Sequence, residues 1–363
     1  MRILVLTTST NNTSTFIGSL ATAGCAEADV DVFRYDSKFH QFWQHKIQTD
    51  PKVAEQYRQT GGVGHTERDN IAMDDEMLRH ASFTHPDAIV YISARWDPFV
   101  PFYETLGELN AIAPVVHFLS DGADPPWWDE LERYERNKCF SLTVSIDGSH
   151  RWPGGRAWQE KDPVTHLPAW SNAPTNHAGP YAPAIKNALT LLTPIDTRHF
   201  EGAEHVSYGE RPYAIAWAGN SDRGMREAVI ERLKAVRGCY VRPRDTSPNS
   251  YPEYARFLKL SRVVPSVPFS GSGAARQVKG RVLEAGFAGC CLLEWKNEAT
   301  RSWFRPRGEF FEYESVEECA EMAEWLSHHP KIAGECAAAL KERVVREHHP
   351  KVFWSTVFGT LGK

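Results

Sequence analysis

KGRVLEAGFAGCCLLE, residues 279–294, is the stretch on which the reading of this chain turns. Two cations, Lys279 and Arg281, open a helical pattern, and Glu284 follows Arg281 by three residues on the same helix face. Small and apolar residues then lead into the strand-like CCLLE. A helix N-terminus exposes unpaired N–H groups and the positive end of the helix dipole, which makes it a seat for anions. Lys and Arg placed there clamp a phosphate, Arg in bidentate fashion. A carboxylate one turn later can accept hydrogen bonds from the vicinal hydroxyls of a sugar, so the trio fits a nucleoside diphosphate. The same residues also fit an exposed Arg–Glu ion pair on an ordinary helix.

The surroundings favour a ligand. The small-residue loop FSGSG (269–273) precedes the stretch. Residues 223–281 hold thirteen Lys and Arg against four Asp and Glu, a net +9 inside a chain of net −5, which leaves −14 for the rest. A basic segment in an acidic protein points to a local anionic ligand more than to general polyanion binding. Arg223 and Arg226, in WAGNSDRGMRE, fall in the first turn of a helix, where cations are unfavourable without an anion beside them.

Outward from that segment, strand and helix patterns alternate. Strands are expected at 2–8, 29–35, 87–93, 113–121 and 139–147, with helices at 16–28, 69–83 and 101–112 between them. After an irregular Pro-, Gly- and Trp-rich connector (148–210) the alternation restarts. It gives strands at 211–219, 239–243, 262–269 and 309–315 and amphipathic helices at 222–238, 251–261, 316–329 and 332–349. Apolar strands separated by helices argue for parallel sheets covered on both faces, with ligands beyond the carboxyl ends of the strands. Two such units in series place a site in a cleft between them. In FLSDGADPPWW, Asp121 ends a strand of the first unit, where it could take a proton from an acceptor hydroxyl or simply cap a turn. The aspartates of MDDEM (73–77) read as solvated mid-helix residues, and His328, His329, His348 and His349 as capping cations at helix ends.

Other classes are excluded or disfavoured. No GxSxG elbow, HExxH pair or GxxxxGK[ST] loop is present, and the seven Cys form no CxxC pair or spaced metal set. Scattered cysteines, the strand-like MRILVLTT opening and the absence of an apolar run near ~18 residues lead to the expectation of a cytoplasmic protein with reduced thiols.

The C-terminal stretch VKGRVLEAGFAGCCLLEW…GEFFEYESVEECAEMAEWLSHHP resembles the signature of GT-B glycosyltransferases, the CgeB-like branch of glycosyltransferase group 1 in particular. AWAGNSDRGMRE is similar to the opening of that branch's second domain. The resemblance covers roughly 210–350 closely and the first half in architecture only. It implies an α/β GT-B fold of two Rossmann-like domains facing a central cleft, with a closing C-terminal helix that crosses back to the first. The domains would be 1–205 (acceptor side, with the irregular connector), 206–345 (donor side) and the closing helix at 346–363. It also implies donor contacts at Gly219, Arg223, Arg226, Lys279, Arg281 and Glu284. No metal or cofactor is expected beyond the nucleotide-sugar co-substrate, a UDP-sugar first, with a glycan, small molecule or protein as acceptor. A more distant similarity to the phage DNA β-glucosyltransferase rests on Phe118–Asp121 and on Arg281–Glu284. It supports Asp121 as catalytic base and brings in DNA with 5-hydroxymethylated pyrimidines as an alternative acceptor. A non-catalytic nucleotide-sugar-binding protein is the alternative from another class.

Overall fold

The chain forms two parallel β-sheets, each covered by helices on both faces. The computed structural model describes residues 1–8, 14–60, 67–93, 101–120, 127–147, 158–161, 168–170, 187–202, 206–219, 225–243, 250–269 and 276–362. The first sheet contains β1 (Ile3–Thr7), β2 (Val30–Arg34), β3 (Ala88–Ser93), β4 (Val115–Leu119) and β5 (Leu142–Ser145). A two-stranded antiparallel hairpin, β6 (Trp158–Lys161) and β7 (Pro168–Trp170), comes before its last strand, β8 (Ala188–Thr190). The strand order is β2-β1-β3-β4-β5-β8, all parallel.

The helices of this half are α1 (Ser14–Thr22), α2 (Ser37–Thr49), α3 (Pro51–Thr60), α4 (Glu67–Thr84), α5 (Tyr103–Ile112) and α6 (Trp127–Arg136). Alternate strand residues face opposite sides. Leu4, Leu6, Ile89, Tyr91 and Val115 pack against α4, α5 and α6, while Ile3, Val5, Val90, Val116 and Val144 pack towards α1. Some details differ from the sequence reading. The helix expected over 16–28 stops at Thr22, because Gly24 turns the chain at φ +96°. Helices α2, α3 and α6 were not anticipated. Asp74 is buried, not solvated: its Oδ2 accepts from the Phe102 N–H (3.0 Å) and the Thr105 hydroxyl (2.7 Å) and so caps α5 from a neighbouring helix.

The second sheet has the order β10-β9-β11-β12-β13, again all parallel. Its strands are β9 (Tyr213–Gly219), β10 (Cys239–Pro243), β11 (Ser261–Ser266), β12 (Cys291–Trp295) and β13 (Phe311–Tyr313). Helices α7 (Met225–Lys234), α8 (Ser250–Lys259), α9 (Gly280–Ala288) and α10 (Glu298–Trp303) connect them, and α11 (Val316–His328), α12 (Pro330–Glu347) and α13 (Pro350–Thr360) follow. Ile215, Trp217, Val263 and Leu293 pack with α7 and α11, whereas Val264 and Leu292 pack with α8, α9 and α12. A small residue of α9 also lets it approach a second helix closely: a Cβ on Gly286 would lie 2.8 Å from both methyls of Val344 on α12.

Helix α13 returns to the first sheet. Phe353, Trp354, Val357 and Phe358 complete the core on the α1 face, and the Trp354 indole N–H donates to Ser19 Oγ at 2.9 Å. His349 starts this helix as an acceptor, its Nδ1 taking the Lys351 N–H at 3.1 Å, so it is an N-cap and not a capping cation. A second tie lies at the carboxyl end of β5, where the Val278 N–H donates to the Asp147 carbonyl at 2.7 Å.

Candidate functional site

Strand order reverses between β9 and β11 of the second sheet, and in open α/β sheets the ligand crevice lies beyond the carboxyl ends of the strands at such a point. Helix α9 starts above it. Lys279 is its N-cap residue in extended conformation, and Gly289 in the left-handed region (φ +67°) stops the helix before β12. Two residues in, Arg281 reaches across to the end of β9 and donates through Nη2 to the Ala218 carbonyl. Gly219 makes that approach possible. Its φ is +128°, and a Cβ there would sit 3.1 Å from Arg281 Nη2.

Arg281 and Glu284 pair at 3.4 Å with only 17% and 15% of their side chains exposed, which rules out the exposed surface pair. Helix α8 supplies the rest of the cage. Tyr254 donates its hydroxyl to Glu284 Oε2 at 2.5 Å, and Tyr251 reaches Oε1 at 3.3 Å. The Arg281 guanidinium lies 5.4 Å from the centre of the Tyr254 ring. Burial opposes the charge on Arg281, but Tyr254 and Glu284 more than offset it and its pKa rises. Burial and the Glu284 carboxylate push both phenols well above the ordinary tyrosine range, with Arg281 opposing the rise at Tyr254. Both phenols therefore stay protonated and donate.

Of the site residues expected from sequence, the structure brings Gly219, Arg281 and Glu284 together, with Lys279 at the start of the same helix. Arg226, the second residue of α7, sends Nη2 to the Phe269 carbonyl at 3.5 Å, beside the loop that leaves β11. The stem of that loop is closed by a bridge between Phe269 and Arg276 and by the Gln277 N–H donating to Pro268. Asp121 and Arg223 lie outside the described residues. Arg242 pairs with Glu253 at 2.9 Å and has a structural partner. Among the described residues no group of three or more His, Cys, Asp or Glu could hold a metal ion, and no helix is long and apolar enough to cross a membrane.

Sequence reasoning passed over Tyr251, Tyr254 and Glu294. Glu294 lies in β12 beside Ser266 of β11 and Glu312 of β13, fully buried, and neither carboxylate oxygen has a hydrogen-bond partner among the described residues. Burial, reinforced by Glu312 and only partly offset by Thr300, Ser266 and Lys279, pushes its pKa from 4.5 to about 8. The folded state thus holds this proton more tightly than the unfolded chain. Stability falls as pH rises from about 4.5 to about 8 and is level beyond, at about 1.4 kcal/mol per pH unit inside that window. Glu294→Gln is expected to melt several degrees above the wild type at pH 8, with the gap closing near pH 5. Calorimetry at both pH values checks this, and an offset independent of pH would show that Glu294 titrates normally.

Residues 221–357 match the model of a family described as glycosyl transferase-like, a span holding most of the second sheet and α13. No protein of curated function matches the sequence. In three dimensions the chain is similar to Anabaena HepE in complex with UDP (TM-score 0.56, 10% identity, 100% of each chain). It is similar also to a glycosyltransferase from Rickettsia africae (0.55, 6% identity, 99% of this chain and 97% of the other). Sucrose-phosphate synthase from Thermosynechococcus elongatus gives 0.56 at 9% identity over 99% of both chains. Such distant structures speak for the fold, two α/β units closed by a returning helix. The family match falls on the half that carries Arg281 and Glu284: the chain has the GT-B fold, and its second half is similar to the glycosyl transferase-like family.

Proposed function

We propose that the protein transfers a sugar from a nucleotide-diphosphate sugar, with UDP as the nucleotide, to an acceptor hydroxyl. The observation that carries this reading is the Arg281–Glu284 pair anchored through Ala218 at the strand-order reversal of the second sheet. HepE, similar in fold, has been crystallised with UDP and with UDP-glucose, which supports UDP as the first nucleotide to try. In this reading residues 206–345 form the donor domain, residues 1–205 the acceptor domain, and residues 346–363 the helix that closes one on the other.

The roles follow from charge. The N-terminus of α9 with Lys279, Arg281 and Arg226 holds the diphosphate, Arg223 adds a further cation, and Gly219 leaves room beside β9. Glu284 accepts from a ribose hydroxyl. As the acceptor oxygen attacks the anomeric carbon, the bond from that carbon to the diphosphate oxygen breaks and negative charge grows on the leaving group. The same cations stabilise it there. If the displacement inverts the anomeric centre, Asp121, two residues past the end of β4 in the sequence, takes the acceptor's proton.

A thermal-shift panel of UDP, GDP and ADP and their sugars tests the donor. One selective nucleotide is expected to raise the melting temperature of the wild type, since a ligand bound only to the folded state stabilises it. In Glu284→Ala that shift is expected to disappear. A wild type unmoved by every nucleotide would sink the donor site.

A further inference from the structure

We propose that Tyr251 and Tyr254 are positioning residues that aim the Glu284 carboxylate, and that they thereby set the selectivity of the site for ribose over 2′-deoxyribose nucleotides. The inference rests on the reading of Glu284 as the ribose ligand and goes beyond it, because it assigns the discrimination to two residues of a different helix. Glu284 alone is a side chain with three rotatable bonds. What fixes it is a pair of phenols, one on each oxygen: Tyr254 to Oε2 and Tyr251 to Oε1.

The phenols are themselves held. Tyr251 and Tyr254 are three residues apart on α8 and so share the face turned to α9, with ring centroids 5.6 Å apart. Tyr251 is braced from the segment that joins the two halves of the chain, by the edges of His199 (5.6 Å) and Phe200 (6.1 Å). Tyr254 lies under the guanidinium of Arg281. The aromatic cage thus carries the carboxylate in one orientation before any ligand arrives.

Counting acceptor positions gives the selectivity. An ionised carboxylate offers about four lone-pair sites. Tyr251 uses one on Oε1, and Tyr254 and Arg281 use up to two on Oε2. One position, on Oε1, then stays open, fixed in direction and able to meet one ribose hydroxyl, which we assign as the 2′-hydroxyl. A 2′-deoxyribose leaves one buried acceptor position unmet, and hydrogen bonds to charged groups are worth about 10–100-fold in affinity. A carboxylate free to rotate would re-aim at the remaining hydroxyl and lose that contrast. Of the two tyrosines, Tyr254 makes the shorter bond and carries the larger share.

The test is titration calorimetry of wild type, Tyr254→Phe and Tyr251→Phe with UDP and 2′-deoxy-UDP, or with GDP and 2′-deoxy-GDP if the panel above selects guanine. Phenylalanine keeps the ring and its packing and removes only the hydroxyl. The wild type is expected to prefer the ribonucleotide by about 10–100-fold. That ratio is expected to fall to within about threefold in Tyr254→Phe and to an intermediate value in Tyr251→Phe, with the melting temperature of the unliganded protein close to wild type. A purely structural role would weaken both nucleotides alike and leave the ratio unchanged, and that result overturns the proposal. A wild type that binds both nucleotides equally also overturns it while leaving the donor site standing. If no nucleotide binds at all, the donor reading falls and the proposal with it. Should Tyr254→Phe fail to fold, the ratio in Tyr251→Phe decides.

Discussion

Arg281→Ala is expected to weaken nucleoside-diphosphate binding and to lower kcat/KM by about 100- to 1000-fold, the cost of removing one charged donor that stabilises a developing anion. The structure makes this residue hard to replace. Its guanidinium spans from α9 to the Ala218 carbonyl at the end of β9, lies over the Tyr254 ring and pairs with Glu284. Alanine would leave Glu284 as a nearly buried carboxylate without its cation, and breaking such pairs costs about 3–5 kcal/mol. Arg281→Lys separates the two effects. Lysine keeps the charge but lacks the planar fork, so stability is expected to recover more fully than donor affinity. Calorimetric titration and melting curves on both variants check this. Wild-type donor affinity in Arg281→Ala would mean that the guanidinium only ties α9 to β9.

Trp354→Ala is expected to cost about 3–5 kcal/mol of stability, as for a buried aromatic truncated to alanine. Trp354 is 1% exposed, its ring meets Phe16 at 5.2 Å and Phe118 at 5.5 Å edge-on, and Phe358 stacks on it at 5.3 Å. Its N–H also leaves Ser19 without that donor when removed. Urea unfolding followed by far-ultraviolet circular dichroism should show an earlier first transition. A change below about 1 kcal/mol would mean that α13 is not docked on α1 in solution.

The donor side was legible because its chemistry lies in one short stretch. Lys279, Arg281 and Glu284 declare a charged helix start whatever surrounds them, and Gly219 entered through the resemblance. Tyr251 and Tyr254 gave no such signal. Two tyrosines three apart on an amphipathic helix read as core until α8 is laid against α9, a contact between residues about thirty positions apart. Glu294 closes the strand-like CCLLE, and its burial depends on how β11 and β13 flank it. Asp74 misled for the same reason: its neighbours Asp75 and Glu76 are polar, while the helix terminus that it caps comes from Phe102. The close approach of α9 to α12 was not legible in the sequence, since only the fold places Val344 opposite Gly286. The alternation of strand and helix survived throughout because apolar periodicity is a local property.

The return of α13 to the first sheet also sets an order of events during synthesis. That sheet has its last strand at Thr190, yet one of its faces waits for Phe353, Trp354, Val357 and Phe358. At translation speeds of about 5–20 residues per second, the wait lasts on the order of 10–30 s. Throughout that interval the nascent first half has its strands paired but Ile3, Val5, Val90 and Val116 only partly roofed, a surface suited to holding by a chaperone until the final helix emerges.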